Sequence, residues 1–262
     1  MLALKFVDAH VHLSDEQYSS CVEEVVAEAK KAGVIALVSN STDLKTGNNS
    51  LSLAEKYPGL VYAALGIHPW NVQALDEDEL QKMVNLIKQQ RLNRALVAVG
   101  EIGLDSKYKE IMEQQTMVFD RMLRLAEQID LPVIIHSRGT TSLIMDMLPS
   151  YKLRRVLLHW FSNPISALNE ATERGYYISE GPASVYSEGL REVIREVPLG
   201  KLLTETDGPV RYFKAPFMGR RTTPAYIPSV VNAIAEVKKL EPARVSEQIA
   251  ENFGAFFGIR LN

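Results

Sequence analysis

Leu4-Lys5-Phe6-Val7-Asp8-Ala9-His10-Val11-His12 decides between two architectures. Its first half is a short apolar run of the kind that makes a buried strand, predicted over Leu4 to Asp8. Its second half stands where an open, doubly wound sheet would carry a Gly-rich phosphate loop. The chain has Asp8-Ala9-His10-Val11-His12 there instead. Further buried strands are predicted at Val34 to Asn40, Leu60 to His68, Ala95 to Glu101, Pro132 to His136, Val156 to His159, Tyr176 to Ser179 and Lys201 to Asp207. Helix periodicity fills most of the gaps, as at Glu16 to Lys31, Glu77 to Gln90, Glu113 to Gln128 and Ala183 to Arg195. After the last strand come a long loop and helices at Ile227 to Lys239 and Pro242 to Phe257. Alternation without hairpin signals means parallel pairing through crossovers. Eight such units fill 1–262 as one domain and predict the α/β class, a single (β/α)8 TIM barrel.

The bulk composition narrows the function classes. A formal net charge of -3 argues against a protein that coats nucleic acid non-specifically, because such binding needs Lys and Arg to neutralise phosphates. Local contact with a few phosphates stays open. Cys21 is the only cysteine, so an intrachain disulfide and a Cys-based zinc cluster are excluded. No signal peptide is read at the N-terminus, and no run approaches the ~18 apolar residues of a membrane span. A soluble cytoplasmic protein with no membrane partner, monomeric by default, is expected.

The residues that carry chemistry gather at strand ends. In an extended chain, residues two apart share a face, so His10 and His12 project together as two imidazoles able to share one metal. His68 ends strand three in Gly66-Ile67-His68-Pro69, and Glu101 ends strand four in Gly100-Glu101-Ile102-Gly103-Leu104-Asp105. His136 ends strand five in Val133-Ile134-Ile135-His136-Ser137-Arg138, and His159 ends strand six in Val156-Leu157-Leu158-His159. Asp207 ends strand eight in Glu205-Thr206-Asp207-Gly208-Pro209. All five histidines of the chain thus sit at or just past the C-terminal ends of strands, the rim that carries active sites in this architecture. Any one of them could be a satisfied buried polar group; seven together point to a divalent-metal centre. Imidazoles with carboxylates suit Zn, Mn, Fe or Ni, whereas oxygen-rich shells suit Mg. Glu101, with two oxygens, is the natural bridge of a binuclear site, in which paired metals ~3.5–4 Å apart activate water. Asp207 is the candidate to ligate and to take the water's proton.

Other residues have two readings each. Pro209 to Pro224 carries Arg211, Lys214, Arg220 and Arg221 with no acidic residue, interleaved with Tyr212, Phe213 and Phe217. This is either a clamp for phosphates and bases or a cover whose cations are solvated. Arg138 is read as an anion contact or an internal ion pair. Asp8 and Glu205 are expected to hold the site by hydrogen bonds rather than to ligate. Asp105 is expected to orient the strand-four loop, and Glu180 has no assigned role. Trp70 and Trp160 form pocket wall or loop packing.

Taken together, Asp8-x-His10-x-His12, Gly66-Ile67-His68-Pro69, Gly100-Glu101-Ile102-Gly103-Leu104-Asp105, Pro132 to Arg138, His159-x-Phe161-Ser162 and Glu205-Thr206-Asp207 resemble the TatD family of metal-dependent hydrolases, within the amidohydrolase-like barrels. The resemblance implies a deoxyribonuclease acting 3′ to 5′ on single strands, with one or two divalent ions (Mg, Mn or Zn). It implies His10, His12, Glu101, His136, His159 and Asp207 as ligands and His68 near the scissile phosphate. The anion reading of Arg138 and the clamp reading of the last loop make Arg138, Arg211 and Arg221 candidate substrate contacts. Three departures from the family pattern are Gly139-Thr140 after Arg138, Asn163 after Ser162, and Thr222-Thr223 between Arg221 and Pro224. They flank the substrate side. Two enzymatic readings follow, a phosphodiesterase acting on DNA ends and a hydrolase of small amides or esters. A metal-binding or nucleic-acid-binding module without turnover is the third.

Overall fold

The structure, a computed structural model, describes residues 4–162 and 164–261. Among these residues eight strands run in parallel order, each hydrogen-bonded to the next in sequence. They are β1 (Phe6–Val11), β2 (Val34–Asn40), β3 (Val61–Leu65), β4 (Leu96–Asp105), β5 (Val133–Arg138), β6 (Val156–Leu158), β7 (Tyr177–Glu180) and β8 (Leu202–Thr204). The helices between and after them are α1 (Val22–Lys31), α2 (Leu44–Lys56), α3 (Glu77–Gln90), α4 (Met112–Ile129), α5 (Thr141–Met147), α6 (Ile165–Glu173), α7 (Glu188–Glu196), α8 (Ile227–Lys238) and α9 (Pro242–Phe257). The fold is the (β/α)8 barrel. None of the described helices is long and apolar enough to cross a membrane.

The chain divides into two compact units, Met1–Ser39 with Trp160–Asn262, and Asn40–His159. In the second unit β4 is buried along all ten of its residues, and Val133, Ile134 and Ile135 of β5 and Val156, Leu157 and Leu158 of β6 are fully buried beside it. Buried on both faces, such strands read as near-continuous Val/Ile/Leu runs, which β4 interrupts at Glu101 and Asp105 and β5 leaves at His136. Helix α4 packs against β4 and buries Val118, Phe119, Met122, Leu123 and Ala126, an i, i+3/i+4 stripe. In the first unit β8 lies against β1. Thr204 Oγ1 donates to Val7 O (2.6 Å), and Asp207 N donates to His10 O (2.8 Å).

Strand and helix ends differ from expectation in ways that have local causes. Strand β4 runs past Glu101 to Asp105, because β5 continues alongside with Gly103 opposite His136 and Asp105 opposite Arg138. The helix expected from Glu16 is a short 3-10 turn, Glu16–Tyr18, capped by Asp15 Oδ1 on Gln17 N (2.8 Å), and α1 begins only at Val22. The segment expected as one helix from Ala183 is likewise a 3-10 turn, Pro182–Val185, followed by α7. Helix α2 forms although Gly47-Asn48-Asn49-Ser50 are weak helix formers. A capping box holds its start, with Asp43 Oδ1 accepting from Thr46 N (2.7 Å) and Thr46 Oγ1 accepting from Asp43 N (3.0 Å).

Gly103 marks the tightest approach in the barrel wall. A Cβ built there would lie 2.0 Å from His136 O, and the residue has a φ of 150°. We expect Gly103→Ala to destabilise the protein by roughly 1–3 kcal/mol or more, as overpacking does. Gly189→Ala, in α7 with open space around its Cβ position, should instead be neutral or stabilise by up to about 1 kcal/mol. Thermal denaturation of the two variants checks this; equal melting temperatures would contradict it.

Candidate metal centre

Among the described residues, each compact unit holds within itself a cluster of titratable side chains able to take an ion. In the first unit His10 and His12 leave the end of β1 on one face, as their two-residue spacing dictates. Asp207 meets them from the segment after β8. Its backbone is in the left-handed region (φ 50°), which Asp tolerates better than most residues, and its N–H is tied to His10 O. His12 N in turn donates to Gly208 O (2.8 Å). The result brings His10 Nε2 to 3.2 Å from His12 Nε2, with Asp207 Oδ1 3.4 Å and 3.3 Å from the two nitrogens. All three residues are buried. Burial would raise the Asp207 carboxyl, but the two histidines hold it below the usual carboxylate range, so it is ionised.

Asp8 lies beneath this cluster and is occupied by hydrogen bonds. Its Oδ1 accepts from His10 N (3.1 Å) and Thr206 N (3.1 Å), and its Oδ2 accepts from Thr206 Oγ1 (2.5 Å). It therefore clips β1 to the segment after β8 and fixes where His10 and Asp207 stand. Glu205 Oε2 accepts from Ser179 Oγ (2.5 Å) in β7.

In the second unit three imidazoles converge on one carboxylate oxygen. Glu101 Oε1 lies 2.7 Å from His159 Nε2, 3.0 Å from His136 Nδ1 and 3.3 Å from His68 Nε2. Glu101 is only 1% exposed. His68 thus belongs with Glu101 and His136 in one potential ligand set. The second nitrogen of His136 is held by Asp105 Oδ2 (3.1 Å), while Asp105 Oδ1 accepts from Lys107 N (2.8 Å) at the start of the following turn. Burial lowers the basicity of His136, yet its bonds to Asp105 and Glu101 leave it raised overall. Asp105 is lowered despite burial, chiefly by the bond from His136. Its grip on His136 is the contact that motif reading missed. The signal was present, since Glu101, Gly103 and Asp105 alternate along one strand.

Both clusters suit a divalent ion. Metal bonds of about 2.0–2.2 Å place neighbouring ligand atoms roughly 3–3.5 Å apart, and the spacings of both clusters lie in or close to that range. Two imidazole nitrogens 3.2 Å apart, as in His10 and His12, share at most one proton in the neutral pair. A cation on their lone pairs satisfies both.

The remaining candidates are scattered. Arg138 is exposed at the end of β5, and Arg211 is exposed in the loop after β8. Arg221 pairs with Glu24 of α1 (3.2 Å). Trp70 is 46% exposed and packs on the His68 ring at 3.9 Å between centroids. Trp160 packs on Tyr212 (5.8 Å). Three of the residues that depart from the family pattern serve the scaffold. Gly139 has φ 66° and leaves a Cβ no room beside Ser106 Oγ (2.3 Å). Thr140 Oγ1 donates to Leu104 O (2.7 Å), and Thr222 Oγ1 donates to Val210 O (2.5 Å). Asn163 lies outside the described residues.

The sequence profile of the TatD-related DNase family matches residues 7–258. The chain belongs to that family. A metal-dependent hydrolase of Methanocaldococcus jannaschii, uncharacterised, is 32% identical over 261 residues, covering 100% of each chain. The 3′-5′ ssDNA/RNA exonuclease TatD of Citrobacter rodentium is 31% identical, with 97% of this chain and 98% of that one aligned. The crystal structure of YjjV, a TatD homologue of Escherichia coli, superposes with a TM-score of 0.90 at 30% identity, covering 97% of this chain and 98% of that one. As a TatD-family member the protein is an enzyme of the metal-dependent hydrolase class. The resemblance read from its motifs is thereby established.

Glu180 is a member of neither cluster. It ends β7, is fully buried, and neither carboxylate oxygen has a hydrogen-bond partner among the described residues. Burial, with Glu205 adding negative potential, pushes its carboxyl well above the usual range. A carboxyl raised on folding loses stability as pH climbs from its unfolded value of about 4.3 toward its folded one. Glu180→Gln escapes that loss. The variant should melt higher than the parent at pH 8 in chelator, with the difference vanishing as pH falls toward 4. Parallel melting curves across that window would contradict the assignment.

Proposed function

We propose that this TatD-family chain is a metal-dependent phosphodiesterase that removes nucleotides from the 3′ end of single-stranded DNA. The observation that carries the reading is the convergence of His68, His136 and His159 on Glu101 Oε1, alongside the His10–His12–Asp207 cluster. In this proposal His10, His12 and Asp207 hold one divalent ion, and Glu101, His136 and His159 hold another. Bound there, such ions supply Lewis-acid polarisation of a phosphoryl oxygen and a lowered pKa for water. The nitrogen-rich ligand sets favour Zn or Mn over Mg, which prefers oxygen.

The chain's own residues have separate tasks. Asp207, kept ionised by its two histidines, accepts a proton from water at a carboxylate oxygen. Asp105 fixes the His136 ring through one nitrogen, so that the other faces Glu101. His68, backed by Trp70, accepts from Trp70 N at Nδ1 and turns Nε2 to Glu101 Oε1, which places it beside the ion that Glu101 would hold. Arg138 and Arg211, exposed, are the cations available to neighbouring phosphates. The Citrobacter relative, named an exonuclease on single strands, supports this substrate class.

The test uses metal-stripped protein with a 5′-labelled single-stranded oligonucleotide and Mg, Mn or Zn added in turn. A ladder shortening from the 3′ end is expected, fastest with Mn or Zn. No nucleotide release with any metal would refute the proposal, and greater turnover of acylated amino acids or lactones would replace it with the small-amide or ester reading. Asp207→Asn and His136→Ala should lower turnover about 10²- to 10⁴-fold, the range for losing a positioned acid–base group. Circular dichroism should show both variants folded at the assay temperature, and normal turnover in either variant removes that residue from the mechanism.

A further inference from the structure

The loop that follows Asp207 is fastened at many points. Val210 N donates to Asp207 O (3.1 Å), and Tyr212 O–H donates to Thr206 O (2.8 Å). Tyr18 O–H donates to Thr222 O (2.5 Å), and Tyr226 O–H to Arg221 O (2.9 Å). Two of its three aromatic residues are anchors. Tyr212 and Phe217 are buried with Ala183 and Leu190, and Phe217 stacks on Tyr226 at 4.6 Å. The third is not. Phe213 is 79% exposed, immediately after the buried Tyr212, and Met218 beside Phe217 is 66% exposed.

A lone exposed apolar residue needs no explanation. An exposed phenyl ring on a fastened loop whose own charged residues are all cations is a different matter. Residues 209–224 contain four cations and no acid, in a chain whose net charge is -3. Two of the four are engaged, Arg221 by Glu24 and Lys214 by the Tyr186 ring at 5.5 Å. Arg211 stands exposed two residues from Phe213. A flat apolar ring next to a guanidinium complements a ligand that is anionic along its backbone and presents π-faces. Single-stranded nucleic acid has both, whereas in a duplex the base faces are already stacked.

Resting on the phosphodiesterase reading, we propose that Phe213 and Arg211 form a stacking and phosphate-gripping subsite for single-stranded DNA on the loop leaving the His10–His12–Asp207 cluster. Phe213 takes a base face and Arg211 the adjoining phosphate. Tyr212 and Phe217 keep the loop from collapsing onto its own exposed ring.

The test is binding rather than turnover. Manganese-loaded protein is titrated, by fluorescence anisotropy, into labelled phosphorothioate-linked thymidine 12-mers and into abasic strands of equal phosphate number, both resistant to cleavage. Stacking on one aromatic ring is worth about 1–3 kcal/mol per base, so Phe213→Ala should weaken thymidine binding roughly 5- to 150-fold and leave abasic binding unchanged. Phe213→Trp should restore it. Arg211→Ala should weaken both strands and reduce the slope of log affinity against log salt by about 0.7. The proposal is overturned if Phe213→Ala binds thymidine strands as the parent does, if it loses both strands equally, or if the parent binds neither. It is also overturned if anionic phospholipid vesicles, and not the oligonucleotide, lose affinity on that substitution. Thymidine binding that depends on Phe213, in a protein that releases no nucleotide, would sink the exonuclease reading while leaving the subsite standing.

Discussion

Burying an imidazole or a carboxylate costs several kcal/mol unless an opposite charge or a hydrogen bond meets it. The two clusters of this protein are organised by that requirement, while Glu180, buried without a hydrogen-bond partner among the described residues, answers it with a carboxyl raised by burial. Glu101, almost inaccessible to solvent, is tolerable only because three ring nitrogens reach its Oε1. Those nitrogens are placed by β5, by the residue after β6 and by the turn after β3, so the wall of the second unit has little freedom to move without exposing a charge. The first unit answers the same requirement differently. Asp8 takes three hydrogen bonds from β1 and the segment after β8, and that clip in turn sets His10 against Asp207.

Much of this was legible in the sequence, because burial on both faces leaves a plain mark. Val133-Ile134-Ile135 and Val156-Leu157-Leu158 are read as strands for the reason that they are strands. The spacing of His10 and His12 likewise encodes a shared face. Where the reading fell short, the cause was a partner that no local pattern contains. The extension of β4 to Asp105 depends on β5 continuing beside it. Helix α2 depends on the Asp43–Thr46 cap, and on a Gly47 whose Cβ would crowd Met83 (3.3 Å) and Leu65 (3.4 Å). The helix predicted from Glu16 starts late because Asp15 diverts its first turn. His68 shows the same limit at the site itself. It lies three residues beyond the end of β3, and no strand periodicity reports where a turn residue aims its ring.

The residues that break the family pattern illustrate how a departure can mislead. Gly139, Thr140 and Thr222 lie in the sequence next to motifs expected to face substrate, which by itself suggests altered specificity. In the fold Gly139 supplies a left-handed turn, and the two threonines bond to backbone carbonyls. The loop after β8 carries a different kind of signal, with two rings tucked in and one left out.

The clip between Asp8 and Thr206 spans 198 positions of sequence, whereas the bond between Glu101 and His159 spans 58. On the ribosome, where the chain emerges from its N-terminus, the two clusters therefore mature at different times. The Glu101 cluster has all its members once β6 has emerged. His10 and His12, made almost first, must wait until β8 and Asp207 are out, with most of the barrel already translated. A nascent chain of this protein thus holds every residue of the Glu101 cluster long before it holds every residue of the other, and a truncated product lacking the last quarter keeps Glu101 and its three histidines but never gains the Asp207 carboxylate.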